Sequence, residues 1–563
     1  MQLYDWLVLI LTLTLIIGYG IWKSRGQRNM EGYILGDRSL PWYHVMFSVI
    51  TTQASAITFI SAPGQAYTDG MRFVQFYFGM PLALIVVSAY FLPKFKRLNI
   101  FTAYQYLEQR FDVKTRALTA SLFLLQRGMS AGLTIYAPAL ILSTLLGWNI
   151  YLTNLLMGGL VIIYTVAGGT KAVSYTQMQQ MFVITLGMAI AGFMVVNLLP
   201  DEIGFWDALK ISAQTGNLNT ITTDFNFNDK YNIWSGLIGG FFLALSYFGT
   251  DQSQVGRYLS GKSISVSRRG LLLTGAVKIP MQFLILLIGA LLVSFYHFHP
   301  TPLFFNEAAL EKAKNTGKYT HEWQQLENRQ ETLDKFKQQQ ARILISNPEN
   351  QNAKIQLKAL KIAEKNVHQQ TKDLLKKTTP TADTQDTNYI FLNYVIHYLP
   401  EGLIGLLISV IFCASWSSTA AELNALSSTS VIDLYKRLLH TQGTEGHYVN
   451  TSKWLTVLWG AVAIGVAMFA NALGSMIEAV NILGSLFYGT ILGIFLTAFF
   501  LKLVQARAVF IAAIITEVIV ILCYLSDVLA FLWLNLVGCL LVMAISLAIQ
   551  FILPKKNPAV SRI

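Results

Sequence analysis

Residues 413–430, CASWSSTAAELNALSSTS, carry eight hydroxyl groups on an apolar run long enough to enter a bilayer. Hydrocarbon cannot hydrogen-bond to those groups, so their face must look at protein, water or a bound ion. Ala414, Ser417 and Ser418 stand at i, i+3 and i+4, which places two hydroxyls and a backbone carbonyl on one helical face. Neutral oxygens grouped in this way suit a weakly held monovalent cation, because hard cations prefer oxygen ligands. The same residue types also let membrane helices pack closely, and this segment alone leaves both readings open.

A second polar stripe runs through SVITTQASAITFISAPG, residues 48–64. Ser48, Thr51, Ser55 and Thr58 fall at i, i+3, i+7 and i+10, with Ala54 beside them and Pro63-Gly64 following. A kink after Thr58 is expected to free backbone carbonyls to ligate a cation alongside Ser417 and Ser418. LALSYFGTDQSQVGRY, 243–258, is interrupted in a similar way at Ser246, Gly249, Thr250, Asp251 and Gln252. Broken helices in corresponding places of two halves mark the binding site of a transporter.

The elements that carry these stripes are membrane spans. The 563 residues are 53% hydrophobic and 13% charged, where a soluble protein has roughly a quarter charged. Hydropathy over windows of about 19 residues gives thirteen spans, near 3–22, 41–62, 73–93, 117–146, 150–168, 176–199, 233–254, 269–298, 398–430, 453–471, 476–501, 506–526 and 529–553. The net charge of +12 is topological. With the N-terminus outside, alternate loops collect Lys23, Arg25 and Arg28, then Lys94 to Arg116, Lys171, Arg257 to Arg269, Lys436, Arg437, Lys453, Lys502, Arg507, Lys555, Lys556 and Arg562. Apart from 299–388, the opposite loops offer only Arg72, Lys210 and Lys230. That asymmetry argues for a cell (inner) membrane protein with a cytoplasmic C-terminus, and against a nucleic-acid partner. Cys413, Cys523 and Cys539 lie in apolar segments and imply neither a disulfide framework nor a metal site.

Segment 299–388 is one large polar insertion, with Asn347-Pro348 between two Gln-, Lys- and Glu-rich stretches. Leu360, Val367 and Leu374, and likewise Phe336 and Ile343, recur every seven residues. An extramembrane hairpin of two antiparallel helices is expected, with a narrow apolar seam. It is either an arm for an extracytoplasmic partner or a solvated excursion.

Several stretches together resemble the sodium/solute symporter family, which includes bacterial sodium/galactose and sodium/sialic acid transporters and the sodium–glucose cotransporters. They are SVITTQASAITFISAPGQAY, YFLPKFKRLNIFTAYQYLEQRF, AGGTKAVSYTQMQQ, DQSQVGRYLSGKS and WSSTAAELNALSSTSVIDLYKR, in the family's order and spacing. The resemblance implies an all-α, leucine-transporter-type 5+5 inverted repeat. A leading helix (1–30) precedes a first repeat (38–200) and a second (230–298 and 398–502), with trailing helices in 503–563. It also implies a sodium site at the carbonyls of Thr51, Ala54 and Ala414 and the hydroxyls of Ser417 and Ser418. A second sodium, as in some members, fits Ser55 and Thr58. Gln177 replaces its Asp, and Ala420 and Ala421 replace its hydroxyls, so a single sodium is expected. Glu422 is then an altered-ion or pairing residue.

For the solute, the resemblance points to Thr58 and Tyr77, to Tyr247 as an inner gate, to Lys278 and to Asn481. Most polar partners of a sugar are missing, since Ile57, Phe76 and Ala244 occupy their places. Arg127, within an apolar span, is a functional candidate whose planar fork suits a carboxylate. The alternative is that Arg127 or Lys278 pairs with Glu422 or Asp251. The implied function is sodium-driven uptake of a small organic solute, either a sugar, a polyol, sialic acid or another carboxylate, by alternating access. The alternative is a non-transporting sensor on the same fold. No nucleophile–base pair or metal motif points to an enzyme.

Overall fold

The computed structural model describes residues 2–24, 30–380, 382–470 and 475–552. Arg25, Arg28, Lys555, Lys556 and Arg562 lie outside the described residues, as do the side chains of Lys23 and Lys171. The regular elements among the described residues are helices: α1 (Leu3–Ser24), α2 (Trp42–Gln53), α3 (Ala56–Asp69), α4 (Met71–Arg97), α5 (Val113–Leu146), α6 (Ile150–Asn197), α7 (Gly240–Thr250), α8 (Gln252–Leu259), α9 (Ile264–Phe298), α10 (Thr320–Ser346), α11 (Gln351–Thr378), α12 (Leu403–Thr429), α13 (Glu445–Ala467), α14 (Met476–Phe500), α15 (Ala506–Leu525) and α16 (Phe531–Ile552), with shorter pieces between. A helix stands in each of the thirteen windows. Among the described residues, eight are long and apolar enough to cross a bilayer singly, and the bent pair α2/α3 makes nine.

The 48-residue α6 is two limbs. Tyr164 and Thr176 hydrogen-bond side chain to side chain at 2.5 Å. Twelve residues of straight helix would hold them about 18 Å apart, so the chain folds back between them.

The first core helix breaks earlier than its sequence suggests. α2 ends at Gln53, Ser55 is extended (φ −77°, ψ 173°), and α3 leaves at an angle of 59°. No kink follows Thr58; α3 continues through Pro63 to Asp69. Pro63-Gly64 is instead a place of close packing. A Cβ on Gly64 would lie 1.9 Å from the Thr387 carbonyl oxygen, and one on Gly289 2.0 Å from that of Pro63. The second break has the same local form. α7 ends at Thr250, Asp251 is extended (φ −76°, ψ 120°), and its carboxylate caps α8 by accepting from the Ser253 amide at 2.8 Å. α3 lacks such a side-chain cap; the Thr58 amide bonds Ser55 O at 2.9 Å, and the amides of Ala56 and Ile57 have no partner among the described residues.

α10 and α11 fold back on each other and dock onto the bundle. Lys361 donates to the Thr215 carbonyl and to Asn217 Oδ1, both at 2.6 Å. Asn217 in turn donates to the carbonyls of Ala66 and Tyr67 at the end of α3. The seam of α10 is displaced by one residue from the heptad reading. Phe336 is 50% exposed while Lys337 is buried, because Glu364 (2.7 Å), Asp334 (2.9 Å) and the Thr301 hydroxyl (2.9 Å) satisfy its amine.

The leading helix is tied to the hydroxyl-rich one. Asp5, fully buried, accepts from the amides of Gly402 (2.7 Å) and Gly405 (3.1 Å) at the N-terminus of α12. A carboxylate there satisfies orphan donors and complements the helix dipole. Asp5→Ala is expected to lower stability by about 1 kcal/mol and Asp5→Asn by less. Thermal denaturation in detergent measures both.

Candidate functional site

The break frees backbone oxygens where the sequence places its first polar stripe. The last ladder bond before it runs from the Ala54 amide to Ile50 O, and the next after it from the Thr58 amide to Ser55 O. The carbonyls of Thr51 through Ala54 are therefore released from helical bonding. On α12, Ser417 and Ser418 each donate to Ala414 O at 3.0 Å, and Ser418 also to Ser415 O. Hydroxyls that donate back to their own helix keep oxygen lone pairs for another ligand.

Gln177, on the second limb of α6, stands between the two helices. Its Oε1 accepts from Ser48 (2.6 Å), and its Nε2 lies 3.3 Å from both Thr52 Oγ1 and Ser417 O. Its carbonyl is 3.5 Å from Thr51 Oγ1. The two stripes thus converge on one amide side chain, and all of these residues are buried.

Beside the break lies a small cavity of about 100 Å³, or about 720 Å³ with its open mouth counted. Ser55, Thr58, Tyr77, Arg127, Tyr247, Glu422 and Asn481 line it, as do Ile57 and Phe76. Ala244 does not; its neighbour Leu243 does. Lys278 stands behind Tyr77, its Nζ 5.8 Å from the ring centre, fully buried and without a hydrogen-bond partner among the described residues. Two walls meet backbone to backbone, since a Cβ on Gly79 would lie 2.2 Å from Phe241 N and one on Gly240 2.5 Å from Phe76 O.

One wall is an ion network that joins four helices. Arg127 of α5 donates through Nη1 to Glu422 of α12 (3.0 Å) and through Nη2 to Asp251 at the second break and to Tyr488 of α14. Tyr488 donates to Asp251 at 2.7 Å, and Thr134 donates to the other oxygen of Glu422 at 3.0 Å. Two carboxylates thus face one guanidinium and take both of its terminal nitrogens, while its Nε has no hydrogen-bond partner among the described residues. Tyr247 accepts from Gln254 at 2.6 Å, and its ring lies 5.4 Å from the guanidinium. Asn481 donates to its own helix at Ile477 O.

Several lining residues escaped the sequence reading, among them Tyr488, Gln126 and Gln53. Tyr488 lies seven residues beyond Asn481, hence on the same helical face, and Gln126 is a polar neighbour of Arg127 inside an apolar span. Gln53 ends α2. Gln53 Oε1 and Gln126 Oε1 are buried without a hydrogen-bond partner among the described residues.

The chain is 25% identical over 522 residues to the sodium/glucose cotransporter of Vibrio parahaemolyticus, covering 91% of this chain and 83% of the relative. It is 24% identical over 552 residues to the sodium/sialic acid symporter NanT of Aliivibrio fischeri, covering 96% and 92%. Its fold matches a solved structure of a sodium-coupled sialic acid symporter in a substrate-bound outward-open state, with a TM-score of 0.76 at 22% identity over 98% of each chain. The model of the sodium:solute symporter family matches residues 33–316 and 368–516. That match contains both broken helices and the hydroxyl face and leaves out residues 1–32, the middle of the hairpin and residues 517–563, so the chain belongs to the sodium:solute symporter family.

Proposed function

We propose that the solute is small, uncharged and rich in hydroxyl groups, and that sodium binds through Thr51, Ala54, Ala414, Ser417 and Ser418. Family membership makes the chain a sodium-coupled symporter in a membrane and not an enzyme. The observation that carries the choice of solute is the state of Arg127. Its charge is matched by Asp251 and Glu422, so a solute carboxylate must displace one of them. Beyond Glu422 and the unpartnered Nε of Arg127, the lining is neutral: Thr58, Gln53, Gln126 and the faces of Tyr77 and Tyr247. A second reading, an acidic solute, is favoured by the open N-terminus of α3, which attracts negative charge.

Sodium bound across the break holds α2 and α12 together and favours the form that accepts solute. The solute then binds between the two breaks, and the repeats rock to release both. A potential of 100 mV adds about 2.3 kcal/mol per charge moved. The arrangement of basic loops supports a cytoplasmic release side. There, Arg116 bonds Asp433 (2.7 Å) and Glu108 (2.5 Å), and Arg437 bonds Glu108 (2.6 Å), contacts that opening must break.

The test is thermal stabilisation of the purified protein by polyols, sugars, sialic acids and short carboxylates, each with sodium or choline, followed by uptake into proteoliposomes. Neutral hydroxylated ligands are expected to stabilise only with sodium. Stabilisation by acids alone would favour the second reading. Uptake without a sodium requirement would contradict the coupling.

A further inference from the structure

We propose that the groove between the second limb of α6 and α9 is a binding site for one acyl chain of a bilayer phospholipid. The groove has a volume of about 1560 Å³ including its opening. Its walls are apolar, with Met181, Met188 and Phe193 on one side and Val277, Leu284 and Leu291 on the other. Thr185 carries the only polar side-chain atom in the lining, and its hydroxyl is bonded to Met181 O at 2.8 Å. Nothing there calls for a polar ligand.

Both walls are helices long and apolar enough to cross a bilayer, so the groove opens to hydrocarbon and not to water. From Met181 to Val196 it follows about 22 Å of helix axis, longer than the roughly 15 Å of one leaflet's hydrocarbon. A single extended chain fits that length. Ala189 and Gly192 are the small residues that give the groove its depth between larger neighbours. Left empty, the walls would lose dispersion contacts that a chain supplies along its whole length.

The position links the site to coupling. Met181 stands one helical turn beyond Gln177, and Phe59, also in the lining, stands one turn beyond Ser55. A chain in the groove therefore touches both elements that flank the two stripes, and its occupancy steadies α3 against α6.

The test uses the full-length protein in nanodiscs that contain a phospholipid with a diazirine at the end of one acyl chain. After irradiation, adducts are mapped by mass spectrometry. Peptides covering 181–196 and 277–291 are expected to carry about tenfold more label, a ratio equal to about 1.4 kcal/mol, than the bilayer-facing Leu7, Leu11 and Leu15 of α1. Ala189→Trp, which fills the groove from an exposed position, is expected to reduce groove labelling to the level of α1. Val277→Trp does the same from the opposite wall, so the result survives if one variant misfolds. Equal labelling of groove and α1 would mean bulk bilayer contact only and would overturn the proposal. So would groove labelling that persists in a folded tryptophan variant.

Discussion

Replacing Ser417 and Ser418 together by alanine is expected to abolish the sodium response of uptake or to raise half-saturating sodium by about a hundredfold or more. The estimate follows from two lost oxygen ligands, each worth about 1.5–3 kcal/mol toward a charged partner. The fold should survive, because both hydroxyls donate only to carbonyls of their own helix at 3.0 Å. Alanine is also the better helix former. Without sodium, solute should leave the thermal midpoint of variant and wild type equally unchanged. An unchanged sodium response in a stable double variant would remove these residues from the ion site.

Arg127→Ala is expected to be the most destabilising single change in the cavity. It leaves Asp251 and Glu422 buried without a cation, and breaking a buried pair in this way costs about 3–5 kcal/mol. A marked drop in thermal midpoint in detergent is the readout. The triple change Arg127→Met, Asp251→Asn and Glu422→Gln should recover much of the loss, since it removes the uncompensated charges with their partner. If Arg127→Ala keeps its stability and loses only binding of acids, the guanidinium serves the solute and the neutral-solute reading fails.

The spans were legible in the sequence because bilayer length and apolar composition are local properties. The hydroxyl face of α12 was legible for a related reason: polar groups in hydrocarbon need a partner, and spacing alone shows which share a face. The exact break was not. Pro63-Gly64 drew the kink toward its side, yet the chain uses those residues to approach Thr387 and α9 closely. The break falls at Ser55, where no residue type announces it. Arg127 was visible as a misplaced charge with Asp251 and Glu422 as candidate partners; that it takes both at once, from 124 and 295 residues away, and that Lys278 takes neither, depends on tertiary placement. The seam of α10 misled for the same reason. A lysine took a core position because Glu364 and Asp334 compensate it, and heptad counting does not foresee a paired charge.

The account rests on sodium sitting where the released carbonyls of α2 meet the hydroxyls of α12. A high-resolution density map of the protein in sodium, set against one in choline, tests this directly. The account predicts a sodium-dependent feature ligated by oxygens of Thr51, Ala54, Ala414, Ser417 and Ser418, adjoining Gln177. A bound ion elsewhere, with those oxygens too far apart to share one, would contradict it.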